Sequence, residues 1–382
     1  MNGFFASVEL LDHPEYKNVP MAVCGDPESR HGIILAKNEH AKKYGIVTAE
    51  TLWQARKKCP GLVTVPPHHA KYKEYSIKIN EIYQQYTDLV EPFSIDESWL
   101  DVTGSLGLFE SGRKIADEIR ERVKSELGLT LSAGVSFNKI FAKMGSEYKK
   151  PDATTVISRD NYKELLWPMP VSEMFFCGKK TSAKLMKSGI KTIGDLANAD
   201  RVFLNALLGK QGDTLYIYAN GLDESPVAHY TDIRREKSVG HGTTFSRNLT
   251  TLQEIEAECI SLSDGVATRL RKHSMKASGV KVDIKDDKLH VISRQQQLNS
   301  PTNLASDIYH CAVDIIRKNW KIGDPIRLIT ITAINLTDEN EASQISLFDL
   351  TDDSKKKNED LERAMDEIRQ KFGKSSIQFG KK

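Results

Sequence analysis

The clearest pattern of apolar and polar positions lies in the middle of the chain, between residues 111 and 136. Apolar residues recur four positions apart, with charged residues between them, at Ile115, Ile119, Val123 and Leu127. This spacing predicts an amphipathic helix, for which Ser111 is a suitable N-cap. From residue 129 to 136, apolar residues alternate with small residues, which predicts a half-buried strand. A helix that leads into a strand indicates an α+β layer.

A pair of strands is predicted around two adjacent carboxylates, Asp96 and Glu97. Apolar residues flank them, with Phe93, Ile95 and Trp99 on one parity and Leu100 and Val102 on the other. Neighbouring residues of a strand point to opposite faces, so both carboxylates can reach one site only at a turn. We therefore expect two strands that meet at the acidic pair.

The remaining patterns divide the chain into further segments. Residues 33–36 are a strand candidate and 48–58 a helix candidate, within an insertion that ends at prolines 60, 66 and 67. Residues 160–227 predict short helices separated by glycines, and the charged run at 232–237 predicts an exposed linker. A further α+β unit is predicted at 238–340, with strands near 280–284 and 326–334. The chain then becomes polar and ends in a charged helix candidate at 358–371.

Composition limits what these segments can form. The chain has 382 residues, 39% hydrophobic and 28% charged, which favours several folded domains over one compact core or disorder. The 54 basic residues are nearly balanced by 52 acidic ones, so the net charge of +2 does not by itself point to a polyanionic partner, and local clusters of charge must supply that evidence. No stretch approaches the roughly 20 apolar residues that cross a bilayer, and we see no secretory leader. The five cysteines are widely spaced, and we expect reduced thiols in a soluble cytoplasmic protein.

The acidic pair lies within EPFSIDESWLDVTG at residues 91–104. Taken alone, an Asp-Glu pair is more often a solvated turn than a metal site. This segment, however, resembles the palm hairpin of the DNA polymerase IV branch of the Y-family DNA polymerases, and MNGFFASVE at residues 1–9 resembles their first motif. Four more stretches are similar in order and spacing: LAKNEHAKKYGI (35–46), AGVSFNKIFAKMGSEYKKPDA (133–153), GKKTSAKLMKSGIKTIGDLA (178–197) and KSVGHGTTFSRNL (237–249). The resemblance covers nearly the whole chain.

The resemblance implies an α+β multidomain enzyme with the right-hand architecture of a polymerase. The implied parts are a palm (1–10 and 68–160), small fingers (11–67), a helical thumb with a helix-hairpin-helix (161–227), a linker (228–237), a little finger (238–340) and a tail (341–382). The implied activity is template-directed, error-prone DNA synthesis past damaged bases, by nucleotidyl transfer with two Mg²⁺ ions. The implied partners of this monomer are primer-template DNA, deoxynucleoside triphosphates and the sliding clamp.

The resemblance also assigns the metal ligands. Asp96 would bridge both Mg²⁺ ions and Glu97 would bind the catalytic one, in agreement with the preference of Mg²⁺ for oxygen ligands. The backbone carbonyl of Met1 would be a further ligand. Asp101, in contrast, is expected to be a structural or surface carboxylate.

Nucleotide contacts are implied at four residues. Phe5 would be the steric gate whose ring collides with a ribose 2′-hydroxyl, with Phe4 beside it, although buried aromatic residues are the commoner role for such a pair. Lys42 and Lys150 would reach the triphosphate, although a surface position is the ordinary one for either lysine alone. Glu39 stands where many relatives carry a triphosphate-binding Tyr, and we expect its side chain to point elsewhere.

The sequence departs from the family pattern before Met1. The family motif opens with an apolar palm strand that ends in a metal-binding Asp, directly before the residue matched by Met1. We therefore expect the chain as written to lack this strand and this ligand, and to extend primers poorly. A start assigned too far downstream and a catalytically impaired paralogue that binds DNA and the clamp both explain the departure.

Two further binding segments are implied. Five lysines and no acidic residue lie between 179 and 191, where the resembling polymerases hold DNA phosphates with Gly178, Lys179, Lys180 and Lys184. The chain has Phe176-Cys177-Gly178 in place of Gly-x-Gly, so we expect a weaker grip. QISLF at 344–348 resembles the clamp-binding pentapeptide, with contacts from Gln344, Leu347 and Phe348.

Three classes of function fit parts of the sequence. A lesion-bypass polymerase accounts for every motif, whereas a catalytically dead clamp-binding paralogue accounts for all but the chemistry. A helix-hairpin-helix repair scaffold accounts for residues 178–197 but not for the acidic hairpin or Phe5. The acidic hairpin therefore separates the first two classes from the third.

Overall fold

The computed structural model describes residues 1–25, 32–232, 236–339, 341, 353–373 and 375–378. The chain forms two compact units, Met1–Ile233 and Arg234–Lys382. The predicted clamp-binding residues Gln344, Leu347 and Phe348 lie outside the described residues. Among the helices in the described ranges, none is long and apolar enough to cross a membrane.

The first unit contains seven strands and twelve α-helices in its described part. The strands are β1 (Met21–Cys24), β2 (Ile34–Lys37), β3 (Val63–Val65), β4 (Val90–Ser94), β5 (Glu97–Leu100), β6 (Ala133–Ser136) and β7 (Thr154–Ile157). The helices are α1 (Phe4–Asp12), α2 (Glu39–Lys43), α3 (Leu52–Lys58), α4 (His69–Tyr83), α5 (Leu106–Phe109), α6 (Gly112–Leu127), α7 (Lys139–Tyr148), α8 (Tyr162–Leu166), α9 (Lys179–Lys187), α10 (Ile193–Asn198), α11 (Arg201–Leu208) and α12 (Lys210–Ala219).

The strands of this unit form three small sheets. One has the order β2-β1-β3, and β4-β5 and β6-β7 are separate pairs, antiparallel and parallel respectively. Helices α1, α4 and α6 share an apolar core through Phe4, Tyr72 and Ile119. This core supports the β4-β5 hairpin and the N-terminal end of α1, where the candidate site lies.

Helix α7 packs unusually close to β6. A Cβ atom on Gly134 would lie 1.8 Å from the main-chain oxygen of Ala142 and 2.5 Å from the amide nitrogen of Ser146. Any side chain at position 134 would therefore clash with the backbone of α7, so only glycine permits this close contact. The position of α7 matters because this helix carries Lys143 to the acidic hairpin.

The second unit is built on one four-stranded antiparallel sheet. The strands are β8 (Ser238–Leu249), β9 (Met275–Asp286), β10 (Val291–Thr302) and β11 (Ile326–Asp338), in the order β10-β9-β11-β8. Helices α13 (Leu252–Lys272) and α14 (Ala305–Asn319) pack against the sheet around a single apolar core. The charged helix α15 (Asp353–Phe372) is attached to this unit by a buried ion pair between Arg271 and Glu362.

The predicted α+β multidomain class is confirmed, as are most of the predicted elements. The amphipathic helix is α6, capped by the hydroxyl of Ser111. The helix predicted from residue 48 begins only at Leu52, because Thr51 forms a capping box with Gln54. The predicted strand 129–136 is shorter, since only Ala133–Ser136 pairs with β7. The five cysteines are buried thiols, as expected. The expectation of an absent first palm strand stays a prediction.

Candidate active site

The acidic pair lies at the tip of the β4-β5 hairpin. Asp96 occupies the two-residue turn, and Glu97 begins β5 opposite Ser94. The hydroxyl of Ser94 donates a hydrogen bond of 3.0 Å to the Asp96 carboxylate, which orients that side chain across the turn. Neighbouring residues within a strand point to opposite faces, so two adjacent carboxylates can reach one region only at a turn. The turn at Asp96 meets this condition.

Both carboxylates line a cavity of about 190 Å³. Met1, Lys143 and Lys150 line the same cavity, and its apolar wall includes Leu100, Ile119 and Leu131. Its walls include residues of β5 and β6, which belong to separate sheets. The cavity thus combines acidic and basic groups at one side with apolar residues at the other.

The α-amino group of Met1 lies beside Asp96. It donates a hydrogen bond of 2.9 Å to the main-chain oxygen of Asp96 and lies 3.7 Å from the carboxylate oxygen Oδ2. Burial lowers the pKa of this amino group, although the charge of Asp96 opposes the shift. The structure therefore brings Met1 to the site, as predicted, while a role of its backbone carbonyl stays a prediction.

Lys143 is a site residue that the sequence motifs did not reveal. Its ammonium group lies 2.7 Å from the Glu97 carboxylate and 2.7 Å from that of Glu147, which in turn accepts a hydrogen bond of 2.6 Å from Lys150. Burial acts to lower the pKa of Lys143, but the hydrogen bonds that its ammonium group donates to Glu147 and Glu97 outweigh burial and raise the pKa. The spacing of Lys143 and Glu147, one turn apart on the helix after β6, was the available signal.

Helix α7 is attached to the hairpin at its first residue. The Lys139 ammonium group forms a buried ion pair with Glu91 on β4, and the indole nitrogen of Trp99 on β5 donates to the Lys139 main-chain oxygen at 3.0 Å. Because both strands of the hairpin contact Lys139, the position of α7 is fixed relative to the acidic turn. Lys143 is thereby held one helical turn further along, against Glu97.

The predicted steric gate, Phe5, and its neighbour Phe4 have different surroundings. Phe4 is 4% exposed and belongs to the core. Phe5 is half-buried, and its ring stacks on that of Tyr72 with centroids 4.1 Å apart. Neither ring lines the cavity of the acidic pair.

Of the other predicted residues, some line the cavity and others do not. Lys150 lines the cavity, whereas Lys42 is 58% exposed on α2 and lies 3.7 Å from Glu39, which is also exposed. Asp101 accepts a hydrogen bond of 3.0 Å from the Thr103 amide and does not line the cavity, in agreement with the expected structural role. The structure therefore brings Lys150, but not Lys42, to the acidic pair.

The predicted DNA-binding segment forms two helices joined by a tight turn. Gly178 caps α9, and the five lysines at positions 179, 180, 184, 187 and 191 are exposed. Gly189 adopts a positive φ of 85° in the turn before α10. Phe176 has a positive φ of 65°, a conformation that favours glycine, so the departure from Gly-x-Gly places strain at this position.

Comparison with solved structures identifies the fold. A Y-family DNA polymerase chimera matches 88% of this chain and 97% of its own chain, with a TM-score of 0.80 at 23% identity. At this identity the likeness concerns the fold alone. The acidic hairpin and the helix-hairpin-helix therefore stand within a fold of the Y-family class.

Comparison with known sequences identifies the family. The model of the impB/mucB/samB family matches residues 1–147, and that of its C-terminal domain matches residues 236–347. A DNA polymerase IV of Acetivibrio thermocellus is 46% identical over 100% of this chain and 95% of its own length. A DNA polymerase IV of Clostridium kluyveri is 38% identical over 100% and 96%. The chain belongs to the impB/mucB/samB family of Y-family DNA polymerases, on the DNA polymerase IV branch.

Proposed function

We propose that this DNA-directed DNA polymerase copies damaged templates by a two-Mg²⁺ nucleotidyl transfer and is recruited by the sliding clamp. The observation that carries the catalytic part is the hairpin turn, which presents Asp96 and Glu97 to one cavity beside Lys150. Phosphoryl transfer needs an anionic cation site next to positive groups that hold the triphosphate. The cavity has both on neighbouring elements.

The two carboxylates fit Mg²⁺ as ligands. Their side chains are 28% and 29% exposed, so they keep access to solvent and to a bound nucleotide. Mg²⁺ is usually held by one or two carboxylates together with water and substrate phosphates, so Asp96 and Glu97 are suitable ligands for this ion. The bound ions would stabilise the negative charge that develops on the transferred phosphate and the leaving pyrophosphate.

The protein's own groups would bind and orient the nucleotide. Lys150 would attract the triphosphate, and so would the N-terminal end of α1, where backbone N–H groups and the helix dipole favour anions. Lys143 would hold the Glu97 carboxylate toward the cavity and limit repulsion between the acidic groups. Phe5 would exclude a ribose 2′-hydroxyl.

The thumb lysines and the tail would provide the contacts with DNA and with the clamp. The exposed lysines of α9 point to phosphate contacts without sequence readout, because they carry charge but no group that distinguishes bases. Clamp recruitment rests on the sequence of QISLF at 344–348, which lies outside the described residues. Both contacts are independent of the acidic pair.

A second candidate function is a catalytically impaired paralogue that binds DNA and the clamp. One observation favours it: in the part of the chain that the structure describes, no group of three or more His, Cys, Asp or Glu side chains is arranged to hold a metal ion. Asp96 and Glu97 thus lack a third side-chain ligand there. Such a protein would occupy primer-template DNA without extending it.

Primer extension on matched templates tests these functions. An active translesion polymerase inserts the complementary nucleotide on an intact template in a Mg²⁺-dependent reaction and continues synthesis past an abasic site. Chelation of the metal abolishes both, while binding of labelled primer-template persists. Binding without extension would favour the impaired paralogue, and extension that stops at every lesion would contradict the translesion role.

A further inference from the structure

A buried carboxylate lies one helical turn behind the predicted steric gate. Glu9 on α1 is fully buried, four residues after Phe5. The hydroxyl of Tyr72 on α4 donates a hydrogen bond to its Oε1, and His68 Nδ1 lies 3.0 Å from each of its two oxygens. These partners of the Glu9 carboxylate come from the first turn of α4 and from the residue before it. A carboxylate this deeply buried is costly unless such partners surround it.

Tyr72 connects this carboxylate to the gate. Its side chain is fully buried, and its ring is nearly parallel to that of Phe5, with an angle of 15° and centroids 4.1 Å apart. The His69 ring stands edge-on to both, at 83° to Phe5 and 82° to Tyr72. The Phe5 ring is therefore supported across one face and along one edge. Tyr72 supplies the stacking face of Phe5, which also packs against the apolar cluster of Ala6, Met21, Val23 and Val65.

The Glu9 contact orients a side chain in addition to attaching α1 to α4. Lys71 already joins these helices at the surface, through an ion pair with Asp12 and a hydrogen bond of 3.2 Å to the Val8 main-chain oxygen. Burial and the hydrogen bond to Glu9 raise the pKa of the Tyr72 phenol, which keeps the hydroxyl protonated as a donor. Since a buried phenol must find an acceptor, the position of Glu9 selects one orientation of the Tyr72 ring.

We propose that Glu9 is a positioning residue for sugar selection, which acts through the Tyr72 hydroxyl to fix the plane that Phe5 presents to the nucleotide. The inference rests on the proposed function, in which Phe5 is the steric gate. A gate distinguishes a 2′-hydroxyl from a 2′-hydrogen, a difference of one oxygen atom. Displacement of the ring by a fraction of an ångström is therefore enough to weaken the discrimination.

The test measures selectivity without requiring the chemical step. Dissociation constants are measured for a deoxynucleoside triphosphate and the matching ribonucleoside triphosphate, on the protein bound to a primer-template with a dideoxy terminus. The variants are Tyr72→Phe, which removes only the hydroxyl, Glu9→Leu, which removes the acceptor, and Glu9→Gln, which keeps an acceptor. Asp12→Asn is the matched control, since Asp12 joins the same two helices but does not contact Tyr72.

The inference predicts a defined order among these variants. Tyr72→Phe and Glu9→Leu lower the ratio of the two dissociation constants by roughly fivefold or more, because both release the ring. Glu9→Gln retains most of the ratio, and Asp12→Asn retains all of it. General destabilisation would weaken the binding of both nucleotides and leave the ratio unchanged. If Glu9→Leu does not fold, Tyr72→Phe decides the question.

Phe5→Ala separates failure of the inference from failure of the proposed function. If Phe5→Ala loses selectivity while Tyr72→Phe keeps it, the gate stands and the role of Glu9 is overturned. If Phe5→Ala also keeps the ratio, or if the wild type binds neither nucleotide, the gate itself is overturned. In the double variant Phe5→Ala and Tyr72→Phe, we expect no loss beyond that of Phe5→Ala, because both act through one ring.

Discussion

Phe4 and Phe5 are neighbours in the chain, but their environments differ. Phe4 is 4% exposed and packs with the core of α1, α4 and α6, whereas Phe5 is half-buried and stacks on Tyr72. The sequence places both in one motif and gives no reason to separate them. Burial provides the reason, since a core ring contributes to folding and a half-open ring can meet a substrate.

The pair gives a prediction at the residue scale. Phe4→Ala should lower the free energy of unfolding by about 3–5 kcal/mol, the usual cost of removing a buried ring, without changing sugar selectivity. Phe5→Ala should have a smaller effect on stability and should raise ribonucleotide incorporation relative to deoxyribonucleotide, while DNA binding persists. Urea unfolding and competitive single-nucleotide insertion measure the two effects. A large loss of stability in Phe5→Ala with unchanged sugar selectivity would instead indicate that Phe5 is a core residue.

Some site residues could be predicted from the sequence and others could not. The resemblance assigns roles to Asp96, Glu97 and Lys150 but none to Lys143 and Glu9, although the same motifs contain them. Lys143 and Glu9 depend on partners that are 46 and 63 positions away in the chain, Glu97 and Tyr72. No local pattern encodes such a pairing, because it arises only when helices pack.

At the scale of elements, the crossing of α7 and β6 decides where Lys143 lies. Gly134→Ala should lower the free energy of unfolding by about 3 kcal/mol, because the added methyl group would meet the backbone of α7 at 1.8 Å. Gly61→Ala is the matched control, since no atom lies within 4 Å of a Cβ there and its φ is not positive. The two variants are compared by the midpoints of urea unfolding of the first unit. A loss below about 0.5 kcal/mol at Gly134 would contradict the close crossing.

The sequence predicted a helix or strand correctly where the residues that determine it lie within that helix or strand. Helix α6 followed from its four-residue spacing and from Ser111, both of which lie within the element. The first residue of α3 depends on the Thr51-Gln54 capping box, a signal that the apolar pattern does not contain. The length of β6 depends on β7, its distant partner in the ladder, and so could not be predicted from alternation.

At the scale of the whole molecule, the charged C-terminal helix shows the same limit of prediction from local sequence. Its existence followed from composition, but its attachment to the second unit depends on Arg271, whose buried guanidinium contacts Glu362 and, at 2.6 Å, Asp366. This helix lies beyond the matched C-terminal family domain, which ends at residue 347. The sequence therefore predicted this helix but not the residues that attach it.

The tail gives the prediction at this scale. The double variant Leu347→Ala and Phe348→Ala removes two side chains that are each worth roughly 1.5–3 kcal/mol when fully buried against a clamp. Even half of this total would weaken the contact about tenfold or more. Synthesis on a short primer should persist, since no active-site group changes, while stimulation by a loaded clamp should fall. Equal stimulation of the wild type and the variant would exclude the tether.

The most direct test of the account is single-nucleotide primer extension by carboxylate variants in Mg²⁺. The account predicts that Asp96→Asn and Glu97→Gln each slow extension by roughly a hundredfold or more, because each removes charge from a dication site. Asp101→Asn, which keeps the acceptor for the Thr103 amide, should extend primers at the wild-type rate. Wild-type extension by Asp96→Asn or Glu97→Gln would contradict the assignment of the acidic hairpin as the metal site of this polymerase.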